Sequence, residues 1–533
     1  MKKKILILNL IILLFFSISI NAAEQQSMLK IRALNRPITL NPTQAAADIS
    51  VEITNQIFEN LLSVDQNGNL KAELADSWQI SDGGRKLTFD LKENIYFQKE
   101  FKGNITSKNR GREVRAEDWK WSLNYLASPE NRSPYRELLK DIKGYQEFSS
   151  GESEQLSGIR TEGKYRLIIE LKRSNTPFLY NLAHHAAVVM PKEDVLNPDR
   201  QWSLNPVGSG AFAFENIDSE SLTLKRNNNY WQKDDQDRAL PYLEGIKYYL
   251  EAGEEKPIDY FSLYKLNSDQ YGQFLAGSLE VENYNFKKIA ADQLKYYGIV
   301  FNKNNSDLLA QAKFREFLNY AVDRQEIIEN LALNDFLPAK DFLTASNKKL
   351  YSYNPEKAEK IIEDYNLNSN FTIQLAVNKN SVNQKIAEEV KKQLLEYGIE
   401  IELEKRNWVN HLNFKTESNH QSEYLLAKSS NIADPYNFLY QNFHSDNLSS
   451  DSEYKPFTNS RLDNFLDYIK IEVEQENRER ALALIKDIVI AETPLLYLFQ
   501  SAESYLIDER IRNIDKLDNY FNPPEYKRLY FEK

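Results

Sequence analysis

The sequence predicts an α/β protein. Segments with strand-like and helix-like apolar spacing alternate along the chain, and one stretch of the second half contains a complete β-α-β unit. Phe371–Val377 and Ile399–Glu404 have the spacing of strands, Val382–Tyr397 has that of a helix, and Gly398 follows as a C-cap. Such a crossover connects parallel strands, so we expect a partly parallel sheet with a binding crevice at its edge.

Composition narrows the class of protein further. The chain has 533 residues with 31 Tyr, 27 Phe and 6 Trp, which predicts two to four domains with sizeable cores. A net charge of −11 offers no overall basic surface for nucleic acid. The absence of cysteine excludes disulfides, thiolate metal sites, cysteine nucleophiles and a lipid-modified N-terminal cysteine.

The N-terminus has the three parts of a secretory signal peptide. Lys2–Lys4 are basic, Ile5–Ile20 is apolar, and small residues follow, which predicts a leader over residues 1–22 with cleavage after Ala22 or Ala23. The apolar run is shorter than the ~20 residues that a spanning helix requires. We therefore expect an exported, periplasmic protein without a lipid anchor.

Apolar spacing predicts the elements of the first half. Alternation predicts strands and a period of three to four predicts helices. In chain order, the predictions are a strand at Met28–Ala33, a helix at Ile49–Leu62, a strand at Leu87–Lys92, a helix at Ala116–Leu126, and strands at Tyr165–Leu171, Ala211–Phe214 and Leu222–Arg226.

The second half adds several helices around the β-α-β unit. The spacing predicts one continuous helix over Gln311–Ala332, and Pro355 marks the first turn of the next helix. Arg461–Ile471 and Glu479–Ala491 have helical spacing near the C-terminus.

The histidines predict neither a metal site nor a catalytic centre. The chain has five of them, and none has the H-x-x-x-H or H-E-x-x-H spacing. His184 and His185 are adjacent, so their side chains are expected to point in different directions. No G-x-S-x-G motif is present either. We expect no enzyme activity, no cofactor and no metal.

A set of segments in fixed order resembles one family, the family 5 extracellular solute-binding proteins, which include the oligopeptide- and dipeptide-binding proteins of ABC importers. The segments are 39–42, 57–62, 72–78, 87–97, 205–212, 228–231, 241–246, 314–324, 353–358, 398–401 and 493–494.

This resemblance implies a type II-like periplasmic-binding-protein fold, with two α/β lobes joined by a hinge and an extra lobe, three in all. Lobe I would comprise residues 24–57, 173–286 and 498–533, lobe II residues 58–172, and lobe III residues 287–497. The ligand is expected between lobes I and III. The implied partners are an inner-membrane ABC permease and its ATPases, and the protein is expected to be a monomer.

The resemblance also places a ligand-binding segment in lobe III. In oligopeptide and dipeptide binders, an aspartate three residues before an acidic-Pro pair holds the ammonium group of the ligand. Here Asp434-Pro435 is the pair, and the aspartate is replaced by Asn431. A neutral amide accepts a hydrogen bond from an ammonium group without neutralising it, and charge-assisted bonds are about twice as strong. Asp434 also suits a turn or a helix cap.

Two hypotheses about the ligand follow. In the first, the ligand is a peptide whose amino end is held by main-chain carbonyls or another carboxylate. In the second, it lacks a free ammonium group, as a modified peptide, a sugar or an anion paired with Lys428 does. Lys428 stands where a tryptophan often precedes the aspartate, and Ser429 and Ser430 complete the segment.

Further contact residues come from the same resemblance. In lobe III, Trp408 follows a strand where related proteins place a tryptophan of the cavity wall, and Lys415 could hold the ligand carboxylate. Ordinary packing and a solvated surface lysine are the alternatives. From lobe II, Tyr135 could close the site. In lobe I, main-chain groups after Pro42 would meet the ligand, at Thr43, Gln44, Ala45 and Ala46.

The sequence thus predicts a periplasmic protein that captures an oligopeptide-like solute and delivers it to a membrane permease. An oligosaccharide binder is the alternative within the class, since aromatic side chains stack on sugars. An extracytoplasmic receptor or sensor with the same fold is the alternative outside transport.

Overall fold

A computed structural model provides the structure of the protein. It describes residues 28–33, 36–65, 69–99, 101–102, 105–250, 261–265, 286–301, 306–333, 336–339, 350–365, 371–379, 382–407, 423–429, 435–445, 459–514 and 525–532.

Strands are distributed over the whole described chain. They are β1 Met28–Arg32, β2 Leu62–Val64, β3 Leu70–Ala72, β4 Ala75–Ser81, β5 Lys86–Leu91, β6 Phe101–Lys102, β7 Ile105–Thr106, β8 Ile159–Thr161, β9 Arg166–Glu170, β10 Phe212–Ile217, β11 Ser221–Arg226, β12 Gly245–Tyr249, β13 Leu263–Lys265, β14 Phe286–Val300, β15 Phe336–Pro338, β16 Phe371–Asn378, β17 Ile399–Arg406, β18 Glu423–Ser429, β19 Leu495–Asp508, β20 Ile511–Arg512 and β21 Tyr530–Phe531.

Helices lie between these strands, mostly in the second half. The α-helices are Asp48–Ile57, Ala116–Ala127, Tyr145–Ser149, Phe178–Asn181, Lys192–Val195, Asp307–Ala310, Ala312–Ala321, Arg324–Asn330, Pro355–Glu363, Val382–Leu395, Pro435–Phe443, Ser460–Ile471 and Gln475–Glu492, with 3-10 helices at Arg136–Leu139 and Trp202–Leu204.

One mixed sheet runs through the molecule. Its described strands are ordered β10-β11-β12-β1-β13-β19-β14-β18-β16-β17, and β15 pairs with β19. β1 is parallel to β12 and β13, and β16 is parallel to β17 and β18, whereas the long strands β14 and β19 are antiparallel to each other. β19 therefore connects the two parallel parts of the sheet.

A separate antiparallel sheet has the order β4-β5-β9-β8. Its apolar face packs with helix Ala116–Ala127, where Trp119 is almost fully buried. This sheet and its helix belong to a hydrophobic cluster drawn from Leu61 to Val189. Two further clusters flank the main sheet, one including Leu29 and Ile507 and the other Leu375 and Leu498.

The predicted β-α-β unit is confirmed. β16 and β17 are parallel in the register Phe371↔Ile399 to Asn378↔Arg406, and helix Val382–Leu395 lies between them in the chain. Gly398 ends the connection with φ +76°, a left-handed conformation that glycine adopts without strain. The strand predictions for β1, β5, β9 and β11 are confirmed to within two residues at each end, and β10 is confirmed at its start but ends three residues later than predicted, at Ile217.

The prediction of a helix over Ile49–Leu62 is wrong in its second half. The helix ends at Ile57, because Phe58 is extended with φ −115° and ψ 163°. The residues after the helix contact a distant segment of the chain instead. Asn60 bridges Val188, and its side-chain amide donates to the carbonyl oxygens of His184 and Ala187 at 2.8 and 3.0 Å.

The prediction of one helix over Gln311–Ala332 is also wrong. The segment forms two helices, which break at Val322 and Asp323, both extended. The Asp323 carboxylate accepts from the amides of Gln325 and Glu326 at 2.9 and 3.1 Å, and so caps the second helix. Aspartate favours this N-cap position over a helix interior, and apolar spacing does not reveal it.

Candidate functional site

The predicted lobe I segment, Thr43 to Ala46, forms a tight turn before helix Asp48–Ile57. Asn41 organises the turn: its side-chain oxygen accepts from the amide and the hydroxyl of Thr43 at 3.2 and 2.8 Å, and its carbonyl accepts from the amide of Gln44 at 3.0 Å. Thr43 and Ala45 are fully buried. The turn is therefore held from within by an Asx side chain.

Ala46 is the exposed residue of this segment. In the part of the chain that the structure describes, neither its amide nor its carbonyl takes part in a hydrogen bond. An exposed residue with both main-chain groups open can pair with an extended chain in the manner of an added strand.

A loop after helix Ala116–Ala127 contacts the same segment. The Ser133 hydroxyl donates to the carbonyl of Thr43 at 2.5 Å, and the Asn131 amide donates to the hydroxyl of Thr43 at 2.9 Å. The side chain of Gln44 in turn donates to the carbonyl of Asn131 at 2.7 Å.

Tyr135, which the sequence predicts at the site, lies beside Ala45. Its phenol donates to the carbonyl oxygen of Ala45 at 3.0 Å. Burial raises the pKa of this phenol, so it keeps its proton at neutral pH and acts as a donor. Whether Tyr135 also contacts a ligand stays a prediction.

The expectation that His184 and His185 point apart is wrong. They lie in an irregular turn rather than in a strand or helix, and their ring centroids are 4.1 Å apart. The Tyr135 ring packs on both, at 4.8 and 4.9 Å between centroids. The Nε2 atom of His185 lies 3.1 Å from the carbonyl oxygen of Ala45.

Burial keeps both imidazoles neutral. It lowers the pKa of His185 to about 4, although the hydrogen bond to Ala45 opposes the shift, and it lowers the pKa of His184 well below its ordinary value, with His185 adding to the effect. A neutral imidazole carries one N–H, and a carbonyl oxygen only accepts, so the proton of His185 lies on Nε2. The Ala45 carbonyl therefore accepts two hydrogen bonds.

The predicted lobe III residues are only partly within the described structure. Lys428 and Ser429 end β18, where they pair with Tyr296 and Lys295 of β14. They therefore stand at the end of a strand of the main sheet. The other predicted residues lie outside the described residues, namely Trp408, Lys415, Ser430, Asn431 and Asp434.

Sequence reasoning missed Asn131, Ser133 and His185 as parts of this site. Their roles depend on contacts between positions about 90 and 140 residues apart in the chain. The one local indication was the adjacent histidine pair in a chain with five histidines.

The described residues offer neither a cluster of metal ligands nor a membrane-spanning helix. They contain no group of three or more His, Cys, Asp or Glu side chains placed to hold a metal ion. Nor does any of their helices combine the length and the apolar composition needed to cross a membrane.

Comparison with known proteins decides the family. Residues 69–450 match the family described as "Bacterial extracellular solute-binding proteins, family 5 Middle". The chain belongs to this family. It is a solute-binding protein of the kind that serves ABC importers, and not an enzyme.

Relatives of this family 5 protein match along most of its length. The oligopeptide-binding protein OppA of Bacillus subtilis is 22% identical over 92% of this chain and 91% of its own. The dipeptide-binding protein of Escherichia coli is 24% identical over 72% of this chain and 73% of its own.

A solved structure confirms the predicted type II-like periplasmic-binding-protein fold. The murein tripeptide-binding protein MppA, in its unliganded open form, superposes with a TM-score of 0.80 at 19% identity, over 95% of this chain and 97% of its own.

Proposed function

We propose that this protein is the periplasmic substrate-binding component of an ABC importer and captures an oligopeptide-like solute. The observation that supports this most directly is the open main-chain edge at Ala46, whose amide and carbonyl make no hydrogen bond within the described chain. A peptide main chain offers the complementary donor and acceptor. The relatives named for oligopeptides and dipeptides agree with such a ligand.

The ligand would lie between lobes I and III, with the boundaries predicted from the sequence. The separate hydrophobic clusters of the described residues support a division into lobes, since Leu61, Leu29 with Ile507, and Leu375 with Leu498 fall in different clusters. The first cluster also includes Phe178 to Val189, beyond the boundary predicted at residue 172. Because β19 contributes to the last two clusters, a rotation of lobe III would pass through this strand and its neighbour β14.

In this proposal Thr43–Ala46 receives one edge of the ligand. The segment from Lys428 to Asn431 receives the other edge, with Trp408, Lys415 and Asp434 nearby. Closure would bury the ligand and remove water from its polar groups, which strengthens each hydrogen bond. The ligand favours closure only as far as it binds the closed state more tightly than the open one.

The same proposal places the mature protein in the periplasm as a monomer. Cleavage of the leader would follow Ala22 or Ala23, and a chain without cysteine offers no thioether for a lipid. N-terminal sequencing of the exported protein tests this part directly.

Two alternatives remain distinct from peptide import. An oligosaccharide or a modified peptide without a free amino end would agree with Asn431 and Lys428 in place of an acidic site. A sensor with the same fold would bind its ligand without supporting uptake, so a deletion strain that still imports the ligand would favour sensing.

Stoichiometric binding tests the proposal. The mature protein is unfolded in denaturant, dialysed free of ligand, refolded and mixed with a random library of unmodified peptides of three to five residues. We expect one peptide per chain without hydrolysis, and reduced capture by Ala46→Pro, which removes the amide donor at that residue. Failure of the refolded wild-type protein to retain any peptide would contradict the peptide hypothesis.

A further inference from the structure

We propose that Asn131, Ser133, Tyr135 and His185 form a clamp that positions the ligand-binding turn, so that the affinity of the site is set in part by their hydrogen bonds to the turn. This inference rests on the proposed function. It assigns to the loop after helix Ala116–Ala127 a role in ligand capture.

The clamp donates hydrogen bonds to main-chain carbonyls of the turn. The Thr43 carbonyl accepts from Ser133, and the Ala45 carbonyl accepts from both Tyr135 and His185. The next carbonyl, that of Ala46, accepts no hydrogen bond from any residue that the structure describes. The hydrogen bonds of the clamp therefore hold the buried residues of the turn and leave its exposed residue available.

The clamp has a rigid base. The Tyr135 ring packs on the two neighbouring histidine rings, and the His184 ring accepts from the amide of Ala186 at 3.2 Å. The carbonyl of His184 accepts from the Asn60 side chain at 2.8 Å. Because these groups are anchored in the cluster of Leu61–Val189, the phenol of Tyr135 has little freedom to follow a displaced turn.

Magnitudes show why the clamp matters for binding. The conformational free energy that is lost when the backbone of one residue is fixed is of the same order as the net contribution of one hydrogen bond. Each clamp bond thus offsets about the ordering of one residue of the turn. A turn that is ordered before binding spares the ligand that cost, which raises affinity without a new contact.

The test compares Tyr135→Phe with Tyr145→Phe in the full mature protein. Both changes remove one phenol hydroxyl, but that of Tyr145 donates to Glu137 and not to the turn. Tyr135→Phe keeps the ring that packs on the histidines. Ser133→Ala is the second variant, and the double variant combines the two losses.

Two readouts separate positioning from general stability. The first is amide exchange at Thr43 and Gln44, whose amides are bonded to Asn41 in the intact turn. The second is retention of the same random three- to five-residue peptide library, followed by native mass spectrometry. For Tyr135→Phe we expect roughly 2- to 12-fold faster exchange at these amides and a similar loss of peptide affinity. Its melting temperature should equal that of Tyr145→Phe.

A conservative replacement of His185 provides the rescue. His185→Gln keeps an N–H donor for the Ala45 carbonyl, whereas His185→Leu removes it. We expect exchange near the wild-type rate for the first variant and faster exchange for the second.

The outcomes distinguish the clamp from the proposed function. If the wild-type protein binds peptides and both exchange and affinity are unchanged in Tyr135→Phe and Ser133→Ala, the clamp is wrong. If the wild-type protein binds no peptide, the proposed function fails, and the exchange rates of Thr43 and Gln44 alone decide whether the clamp orders the turn.

Discussion

The guanidinium of Arg324 donates a hydrogen bond of 2.5 Å from Nε to the carbonyl oxygen of Tyr497, a residue of β19 that is 173 positions later in the chain. Its Nη1 donates to the carbonyls of Asn319 and Val322 at 3.0 and 2.9 Å, and its Nη2 donates to the side-chain oxygen of Asn319 at 3.1 Å. Burial lowers the pKa of Arg324 to about 10, so the group stays charged at neutral pH. This arginine joins the helix break at Val322 to the strand that connects the two parts of the main sheet.

Replacing Arg324 by methionine should therefore destabilise the fold. The change leaves three buried carbonyls without their donor, at roughly 1–3 kcal/mol for each, and we expect a loss of about 3 kcal/mol or more. Urea unfolding of the ligand-free protein measures it. Arg461→Met is the matched control, because Arg461 is exposed on helix Ser460–Ile471. Equal shifts for the two variants would mean that the carbonyl contacts of Arg324 contribute nothing.

A second buried network centres on Asp194. Its carboxylate accepts from the amides of Lys108 and Asn109 at 2.8 and 3.0 Å, and from the Arg200 guanidinium at 3.3 Å. The side chains of Asp194 and Arg200 are 0% and 2% exposed. Asp194→Asn removes the negative charge that pairs with the buried Arg200 guanidinium, and we expect a loss of about 3–5 kcal/mol in urea unfolding.

Asp237→Asn is the control for that change. The Asp237 side chain is 83% exposed and pairs with Lys233 at the surface, where an ion pair contributes about 0–1 kcal/mol. An Asp194→Asn protein as stable as Asp237→Asn would show that the loop at Lys108 does not depend on the buried carboxylate.

Buried carboxylates predict a pH dependence of stability. Glu59 and Glu73 border one cleft together with Glu525 and Lys527. Burial raises the pKa of Glu59 and, more strongly, that of Glu73, although Lys527 opposes both shifts. Lys92 faces the same group of charges. Oε1 of Glu59 accepts from the Tyr230 hydroxyl and the Trp231 indole, while Oε2 has no partner among the described residues.

The direction of the pH dependence follows from the raised pKa values of these carboxyl groups. Below the ordinary pKa of 4.5 the carboxyl is protonated in both the folded and the unfolded chain. As the pH rises, the unfolded chain ionises first, so the contribution of Glu59 is lost progressively until the pH passes its raised pKa in the fold. The stability of Glu59→Gln relative to the wild-type protein should therefore be higher at pH 8 than at pH 4.

Thermal unfolding at several pH values checks this prediction. Glu152→Gln is the control, since Glu152 is exposed. A pH profile of Glu59→Gln that runs parallel to the wild-type profile would show that folding does not raise the pKa of Glu59.

The amide of Asn431 predicts a change in ligand preference. If Asn431 stands where related proteins hold an ammonium group, Asn431→Asp should bind peptides with free amino ends roughly 5- to 10-fold more tightly, because a charge-assisted bond replaces a neutral one. Amino-acetylated copies of the same peptides are the control and should gain nothing. Calorimetry that finds no difference between the two peptide forms would show that Asn431 does not meet the ammonium group.

The spacing of apolar residues predicted most of the helices and strands, because burial of one face of an element imposes a period that is recognisable within a few residues. β16, helix Val382–Leu395 and β17 are the clearest case. The break at Asp323 was missed because one capping carboxylate outweighed an apolar period that continued on both sides. Likewise, helix Asp48–Ile57 ends where Asn60 finds partners more than 120 residues away.

The candidate site was predictable only in part. Main-chain groups of Thr43–Ala46 follow from the resemblance to the family, but the contacts of Ser133 and His185 with this turn depend on how distant segments pack. Sequence spacing carries no information on such contacts. The same holds for β1, which lies between β12 and β13 although more than 200 residues separate it from either strand.

Native mass spectrometry of the protein purified gently from a periplasmic extract tests peptide capture most directly. The ligands released from the complex are fragmented and identified. We predict one ligand per chain and a ladder of masses that matches short peptides. A single non-peptide mass would contradict peptide capture, while leaving the family and its fold unchanged.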